Sequence, residues 1–214
     1  MRYDLKDFTI DEKIRLLAGK DYWHTEDFGG RIYCASVSDG PVGLRKVVAV
    51  GENIGANQVD KPSVAYPSTQ VLSQTWEPEL AYKTGACLAD DCIENDVDVL
   101  LAPGLNIKRD PLCGRNFEYV SEDPHLAGVF GREYVRGLQD KHVGTTLKHY
   151  CANNRELTRL FMSSEVDERT LREIYLEPFR IACEAKPFAV MCAYNLTNGV
   201  RMAEHEKLYT VLRR

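Results

Sequence analysis

The residues best suited to chemistry stand just after apolar runs, at four places along the chain. Asp39 opens the tripeptide Asp39-Gly40-Pro41. Its carboxylate, an acceptor-only group, suits two neighbouring hydroxyls of a sugar, although the same tripeptide is also ordinary turn material. Residues 103–124, PGLNIKRDPLCGRNFEYVSEDP, place Lys108, Arg109 and Arg115 among Asp110, Glu118, Glu122 and Asp123. A segment of that length without regular structure is usually functional or disordered, and Leu105, Ile107, Leu112, Phe117 and Tyr119 argue against disorder. Arg115 followed by Phe117 and Glu118 suggests a guanidinium held by its neighbours and pointed at an oxygen-rich ligand. An ion-pair cluster that only braces the loop is the competing reading. Lys148-His149 suits hydroxyl binding or the orientation of a carboxylate. The pair alone selects no reaction, because Lys also forms Schiff bases and His shuttles protons. Arg159 is placed to return to the same pocket, and Tyr194 offers an aromatic platform with a hydroxyl, or simply a core aromatic.

These residues need a scaffold, and the chain alternates strand and helix signals. Thr9 and Glu12 form a capping-box pair ahead of Ile14, Leu16 and Leu17, with Gly19 closing the helix. The apolar stretch Ile32–Val37 runs into Asp39. Residues 79–95 read as helix, and Val97–Ala102 as a strand covered on both faces. Asp123-Pro124 is an N-cap followed by proline at the first helical position. Val143–Leu147 is the next strand. Asp167 caps a helix that Pro178 is placed to kink. Phe188–Ala193 is another buried strand, and Leu208, Val211 and Leu212 start a last helix. Ser68–Leu72 is a weaker fifth strand signal. Buried strands separated by helices predict a parallel sheet with right-handed crossovers. Candidate residues at several strand ends point to a barrel, and no GxGxxG turn supports a dinucleotide fold. The expectation is α/β, an incomplete (β/α) barrel of TIM type with about five β/α units. Residues 1–214 form one partial domain, because a closed eight-unit barrel needs about 250 residues.

Composition narrows the function classes. The chain has 214 residues, 44% apolar and 28% charged, with a net charge of −5 and both signs interspersed. No basic run suits nucleic acid or an anionic membrane, and no apolar stretch is long enough to span a bilayer. The N-terminus from Met1 to Asp7 lacks the apolar centre of a leader, so the expected location is the cytoplasm. Seven cysteines without a CxxC pair read as buried, reduced thiols. Asn195-Leu196-Thr197 is a glycosylation sequon read as chance.

Five segments together resemble the N-terminal barrel domain of glycoside hydrolase family 3, the β-glucosidase and β-xylosidase type. They are SDGPVGLR (38–45), APGLNIKRDPLCGRNFEYVSEDP (102–124), KHYCANNRELTR (148–159), VDERTLREIYLEPF (166–179) and AVMCAYNLTNG (189–199). The third resembles the glucosidase branch and lacks the KH-F-PGHG form of the N-acetylglucosaminidase branch. The resemblance implies that Asp39, Arg45, Arg115, Lys148, His149, Arg159 and Tyr194 line the −1 sugar subsite. Asp39, Lys148 and His149 would bind glucose hydroxyls, and Tyr194 would stand near the reacting carbon. It implies retaining hydrolysis of terminal, non-reducing β-D-glucosyl residues of a β-linked glucoside or related oligosaccharide, without a cofactor. Arg155 stands where the family commonly has Gln, which adds a positive charge near the site.

In the family the nucleophile is an Asp of an SDW-type motif on a later strand, and the acid/base comes from a second domain. No Ser-Asp-Trp occurs in this sequence. The expectation is therefore a chain truncated before the nucleophile strand and inactive alone. The rival expectations are a non-catalytic sugar-binding fragment, the remnant of a broken gene, or half of a split enzyme. An open sheet edge would favour self-association or a complementing C-terminal half.

Overall fold

The four runs read as buried strands assemble into one parallel sheet in a computed structural model that describes residues 4–49 and 58–213. Met1–Tyr3, part of the stretch read for a leader, and Arg214 lie outside those residues. In chain order the elements are α1 (Ile10–Ala18), β1 (Val37–Ser38), β2 (Val47–Ala49), β3 (Gln58–Asp60), α2 (Thr69–Gln74), α3 (Pro78–Glu94), β4 (Val99–Leu100), α4 (Pro124–Gln139) and β5 (Gly144–Tyr150). They continue with β6 (Ser163–Ser164), α5 (Glu168–Thr170), α6 (Glu177–Cys183), β7 (Ala189–Cys192), β8 (Leu196–Thr197), β9 (Val200–Arg201) and α7 (Glu206–Leu212).

The sheet order is β1-β4-β5-β7, with register pairs Val37↔Val99, Leu100↔Thr145 and Leu147↔Val190. Within this sheet each strand lies beside the one that follows it in chain order, without the reversal that marks a doubly wound sheet. This is an arc of a (β/α) barrel with β1 and β7 at its edges. A β2–β3 hairpin and a small β6-β8-β9 sheet flank it.

Local signals account for the helices. Thr9 Oγ1 accepts from Glu12 N–H and Glu12 Oε2 from Thr9 N–H, at 3.2 and 2.8 Å. Asp123 Oδ1 accepts from Leu126 N–H at 2.6 Å and starts α4. Ser68–Leu72 is not a strand. Ser68 Oγ accepts from Val71 N–H, so the serine caps α2 and the apolar residues behind it fall on a helix face. Four strands, rather than five, therefore carry the sheet among the described residues. The helix capped by Asp167 is broken as Pro178 requires: Leu171–Tyr175 winds into a π turn, and Leu176 N–H donates to Leu171 O.

Helices α3 and α4 pack backbone to backbone. A Cβ on Gly85 would fall 2.5 Å from Tyr134 O, and one on Gly137 2.1 Å from Tyr82 O, so neither position accepts a side chain. From α4, Tyr134 OH donates to Pro41 O at 2.8 Å and ties the loop after β1 to the helix layer. All seven cysteines are free; Cys92, Cys113 and Cys151 are buried, whereas Cys87 is exposed on α3. Asn195 and Thr197 are fully buried, which withholds the sequon from glycosylation in the folded chain. No helix of the described residues is long and apolar enough to cross a membrane.

Candidate functional site

At the carboxyl ends of the strands the loops enclose an open cavity of about 840 Å³. Asp39 reaches it after β1, Leu101 after β4, Lys148 and His149 from the end of β5, and Met191 and Tyr194 from β7 and just beyond. Arg115 and Arg159 enter from the loops after β4 and β5. Six of the seven predicted residues are thus gathered in one place. Its volume lies towards the upper end of the range of about 300–1,000 Å³ for small-molecule pockets and leaves room beside one sugar ring.

The floor is a run of charges that brace one another. Lys148 is 2% exposed. Its Nζ lies 3.2 Å from Asp39 Oδ1 and 3.1 Å from Glu118 Oε2, and Arg115 Nε donates to the other Glu118 oxygen. Burial works against the Arg115 charge, but the Glu118 contact outweighs it and raises the guanidinium pKa. An ammonium has three protons, so one remains for a ligand after the two carboxylates are served. Asp39 is held in a tight turn, with its carbonyl accepting from Arg45 N–H at 2.8 Å. Gly40 has φ +126°, and a Cβ there would meet Gly43 O at 2.0 Å.

A second chain of contacts runs from His149 to the rim. The His149 ring touches Asn106 and Tyr119, and Tyr119 OH donates to Asn153 O. Asn153 Nδ2 donates to Glu156 Oε1 and Arg159 to Glu156 Oε2, both at 2.8 Å. The Arg159 guanidinium lies 5.1 Å from the centre of the Tyr194 ring. Burial above all, and then Arg115, Lys148 and Arg159, push the His149 pKa down to about 2. The ring is therefore neutral at ordinary pH.

Each cation in the cavity already has a carboxylate partner: Glu118 for Arg115, Asp39 and Glu118 for Lys148, and Glu156 for Arg159. Such a site does not call for an anion. It offers donors and acceptors in alternation, which is what a neutral polyhydroxylated ligand needs.

Residues 19–214 match the N-terminal domain of glycosyl hydrolase family 3. The chain belongs to glycosyl hydrolase family 3. It is 44% identical over 210 residues to an exo-α-(1→6)-L-arabinopyranosidase from Bifidobacterium longum, covering 96% of this chain and 28% of that protein. It is equally 44% identical over 209 residues to a thermostable β-glucosidase B from Acetivibrio thermocellus, covering 96% and 27%. The β-glucosidase from Kluyveromyces marxianus, solved in complex with glucose, superposes with a TM-score of 0.88 at 38% identity, over 97% of this chain and 25% of that one. β-Glucosidase 3B from Thermotoga neapolitana, solved with α-D-glucose, gives 0.86 at 37% identity, over 98% and 31%. The chain therefore spans about a quarter of the length of the curated relatives it matches.

The other basic residues singled out in this family 3 chain line neighbouring clefts. Arg45 lines one of about 340 Å³ that shares Asp39, Arg115 and Lys148 with the large cavity, and its Nε lies 3.2 Å from Asp60 Oδ1 of β3. Arg109 donates to Tyr175 OH and shares a third cleft, of about 380 Å³, with Arg155. The extra charge of Arg155 therefore points away from the large cavity, because Asn154 and Arg155 turn to one side of their loop and Asn153, Glu156 and Arg159 to the other. Sequence reasoning missed Asp21, Tyr22 and Trp23, which form one cavity wall. Two aromatics beside an acid, just past a helix-ending glycine, were the available signal. Asn106 and Asn153 gave none, since an asparagine in a polar loop looks the same whether buried or solvated. Among the described residues no group of three or more His, Cys, Asp or Glu side chains is placed to hold a metal ion.

Proposed function

We propose that this chain is the glycone-binding part of a retaining, β-glucosidase-type glycoside hydrolase acting on terminal, non-reducing β-D-glucosyl residues. The observation that carries the reading is the charge-balanced cavity at the strand ends of a family 3 chain, where Asp39, Arg115, Lys148, His149, Arg159 and Tyr194 converge. Asp39 accepts from a pair of hydroxyls. Lys148 and Arg159 donate, and Tyr194 covers one face of the ring. Arg45 borders the adjoining cleft, with its backbone N–H on Asp39 O and its side chain on Asp60. The β-glucosidases among its relatives, and the glucose bound in the Kluyveromyces and Thermotoga structures, support glucose as the glycone.

Retaining hydrolysis needs two carboxylates about 5–5.5 Å apart across the bond. Asp39 and Glu118 are both committed to Lys148, so neither is free to attack or to protonate a leaving group. The proposal assigns nucleophile and acid/base to polypeptide beyond these 214 residues, either continuous with them or in a complementing chain. The purified 214-residue chain is expected to bind glucose in a calorimetric titration and to leave an aryl β-glucoside intact. Turnover near the enzyme median of about 10 s⁻¹ would overturn the assignment. Absence of glucose binding would overturn the glycone site. The complemented protein, assayed on aryl β-D-glucoside and α-L-arabinopyranoside side by side, decides between the glycones of the two relatives matched at equal identity.

A further inference from the structure

His149 has two ring nitrogens, and its surroundings decide which one carries the proton. Asn106 lies beside it with its amide oriented twice over. Its Nδ2 donates to His149 O at 2.9 Å, and its Oδ1 accepts from the His149 backbone N–H at 2.8 Å. Turning the amide over would set donor against donor and acceptor against acceptor, and both bonds would be lost. The atom 3.2 Å from His149 Nδ1 is that same Oδ1, which can only accept. The other neighbour of Nδ1 is Tyr119 OH at 3.3 Å, whose single proton goes to Asn153 O. Nδ1 therefore faces two acceptors and must carry the hydrogen.

The opposite nitrogen is left with its lone pair. Nε2 has no hydrogen-bond partner among the described residues, yet it is not one of the buried unpartnered atoms, and His149 lines the large cavity. The lone pair opens into that cavity.

We propose that Asn106 is a positioning residue of the sugar site: it locks His149 as the Nδ1–H tautomer, so that Nε2 accepts a hydrogen bond from one ligand hydroxyl. Lys148, the adjacent residue, supplies a donor. The Lys148-His149 pair thus reads two hydroxyls with opposite polarity, which two cations could not do. The tautomer rests on the protein alone, whereas the acceptor role rests on the glycone-binding reading.

Nitrogen-15 NMR of the imidazoles in the full 214-residue chain tests the first part without any ligand. Between pH 5 and 8 the expected spectrum has Nδ1 protonated and Nε2 unprotonated, unchanged with pH. A protonated Nε2, or titration to imidazolium within that window, overturns the proposal. Asn106→Asp keeps the acceptor but adds an anion beside a ring that burial, and then Arg115, Lys148 and Arg159, otherwise hold neutral. It should move His149 titration upward, and Asn106→Leu, which removes the acceptor, should let the Nε2-protonated tautomer appear in the nitrogen shifts; a ring that stays purely Nδ1–H in Asn106→Leu would overturn the positioning role. Glucose analogues in which each hydroxyl in turn is replaced by fluorine test the second part, since fluorine cannot donate. One position should weaken binding about three- to tenfold in the wild-type chain, and its penalty should shrink in Asn106→Asp. Equal tolerance of fluorine at every position overturns the acceptor role. A chain that binds no sugar overturns the glycone reading and that role together, and the tautomer still stands or falls on the nitrogen shifts.

Discussion

Two clefts share the same two loops and treat their charges in opposite ways. In the large cavity Arg115, Lys148 and Arg159 are tied to carboxylates, and the Lys148–Glu118 pair is buried on both sides. In the neighbouring cleft Arg109 and Arg155 stand exposed and without a carboxylate partner among the described residues, Arg109 donating only to Tyr175 OH, above a floor of Tyr175, Asn154 and Ser164. The residue types are nearly the same. The difference is that burial with full pairing fixes a side chain before a ligand arrives, whereas an exposed guanidinium still has to be ordered. Preorganisation, more than the presence of arginine, distinguishes the candidate binding site.

The largest test of that contrast is Glu118. Replacing it by Leu leaves Lys148 and Arg115 buried with one shared partner fewer. Breaking a buried pair from one side costs about 3–5 kcal/mol. The urea midpoint of Glu118→Leu should fall accordingly, while Glu165→Gln at the rim of the second cleft should leave it nearly unchanged. Similar losses for the two variants would remove the distinction.

The contrast also shows what the sequence could and could not say. Apolar runs predicted the four parallel strands, although β1 takes only Val37 of the first run and the edge strand β7 is half-buried rather than buried, and caps such as Thr9 and Asp123 predicted helix starts, because both signals are local. Ser68–Leu72 failed for a local reason as well: five residues with a serine in front fit either a strand or a capped helix turn. Arg115 and Arg109 are six residues apart in one loop, and Arg159 and Arg155 four apart in another. Spacing could not tell which member of each pair faces the cavity, since an irregular loop has no period to count by. The neighbours of Arg115 and the distance of Arg159 from Lys148 suggested those two, the family resemblance named them again, and the structure places both in the cavity. The resemblance also named Arg45, which pairs with Asp60 and lines the adjoining cleft that shares Asp39, Arg115 and Lys148 with the cavity.

Asp39 provides the next test. It is the least buried member of the braced cluster, and the proposal gives it the hydroxyl contacts. Asp39→Asn keeps the shape and removes the charge. A hydrogen bond to a charged group contributes about 1.5–3 kcal/mol, or roughly 10- to 150-fold in glucose affinity. A smaller loss would mean that the turn, rather than the carboxylate, matters.

His149 gives the contrast a pH signature. Its folded pKa, about 2, lies below the value of about 6.5 expected in the unfolded chain. Above pH 6.5 the ring is neutral in both states and contributes no pH dependence. As pH falls below that, only the unfolded chain takes up the proton, so stability drops by up to about 1.4 kcal/mol per unit. Going down to pH 5 should remove about 2 kcal/mol. The comparison is between urea midpoints of the wild type and His149→Gln, and the variant should lose that part of the slope. Parallel slopes would mean that the ring titrates normally and that the cavity floor is wetter than its burial implies.

Arg155→Gln should do least. The side chain is exposed and makes no ion pair among the described residues. Surface changes of this kind usually fall within about 0.5 kcal/mol. Stability and glucose affinity should both stay close to the wild type, the latter within about twofold. The result is informative because Arg155 sits between Asn153 and Glu156, which carry the contacts from Tyr119 to Arg159. If the two faces of this loop are independent, the second cleft is only a neighbour of the first. A tenfold change in glucose affinity from Arg155→Gln would show that the wall moves as one piece, and preorganisation of the large cavity would then depend on charges at both clefts.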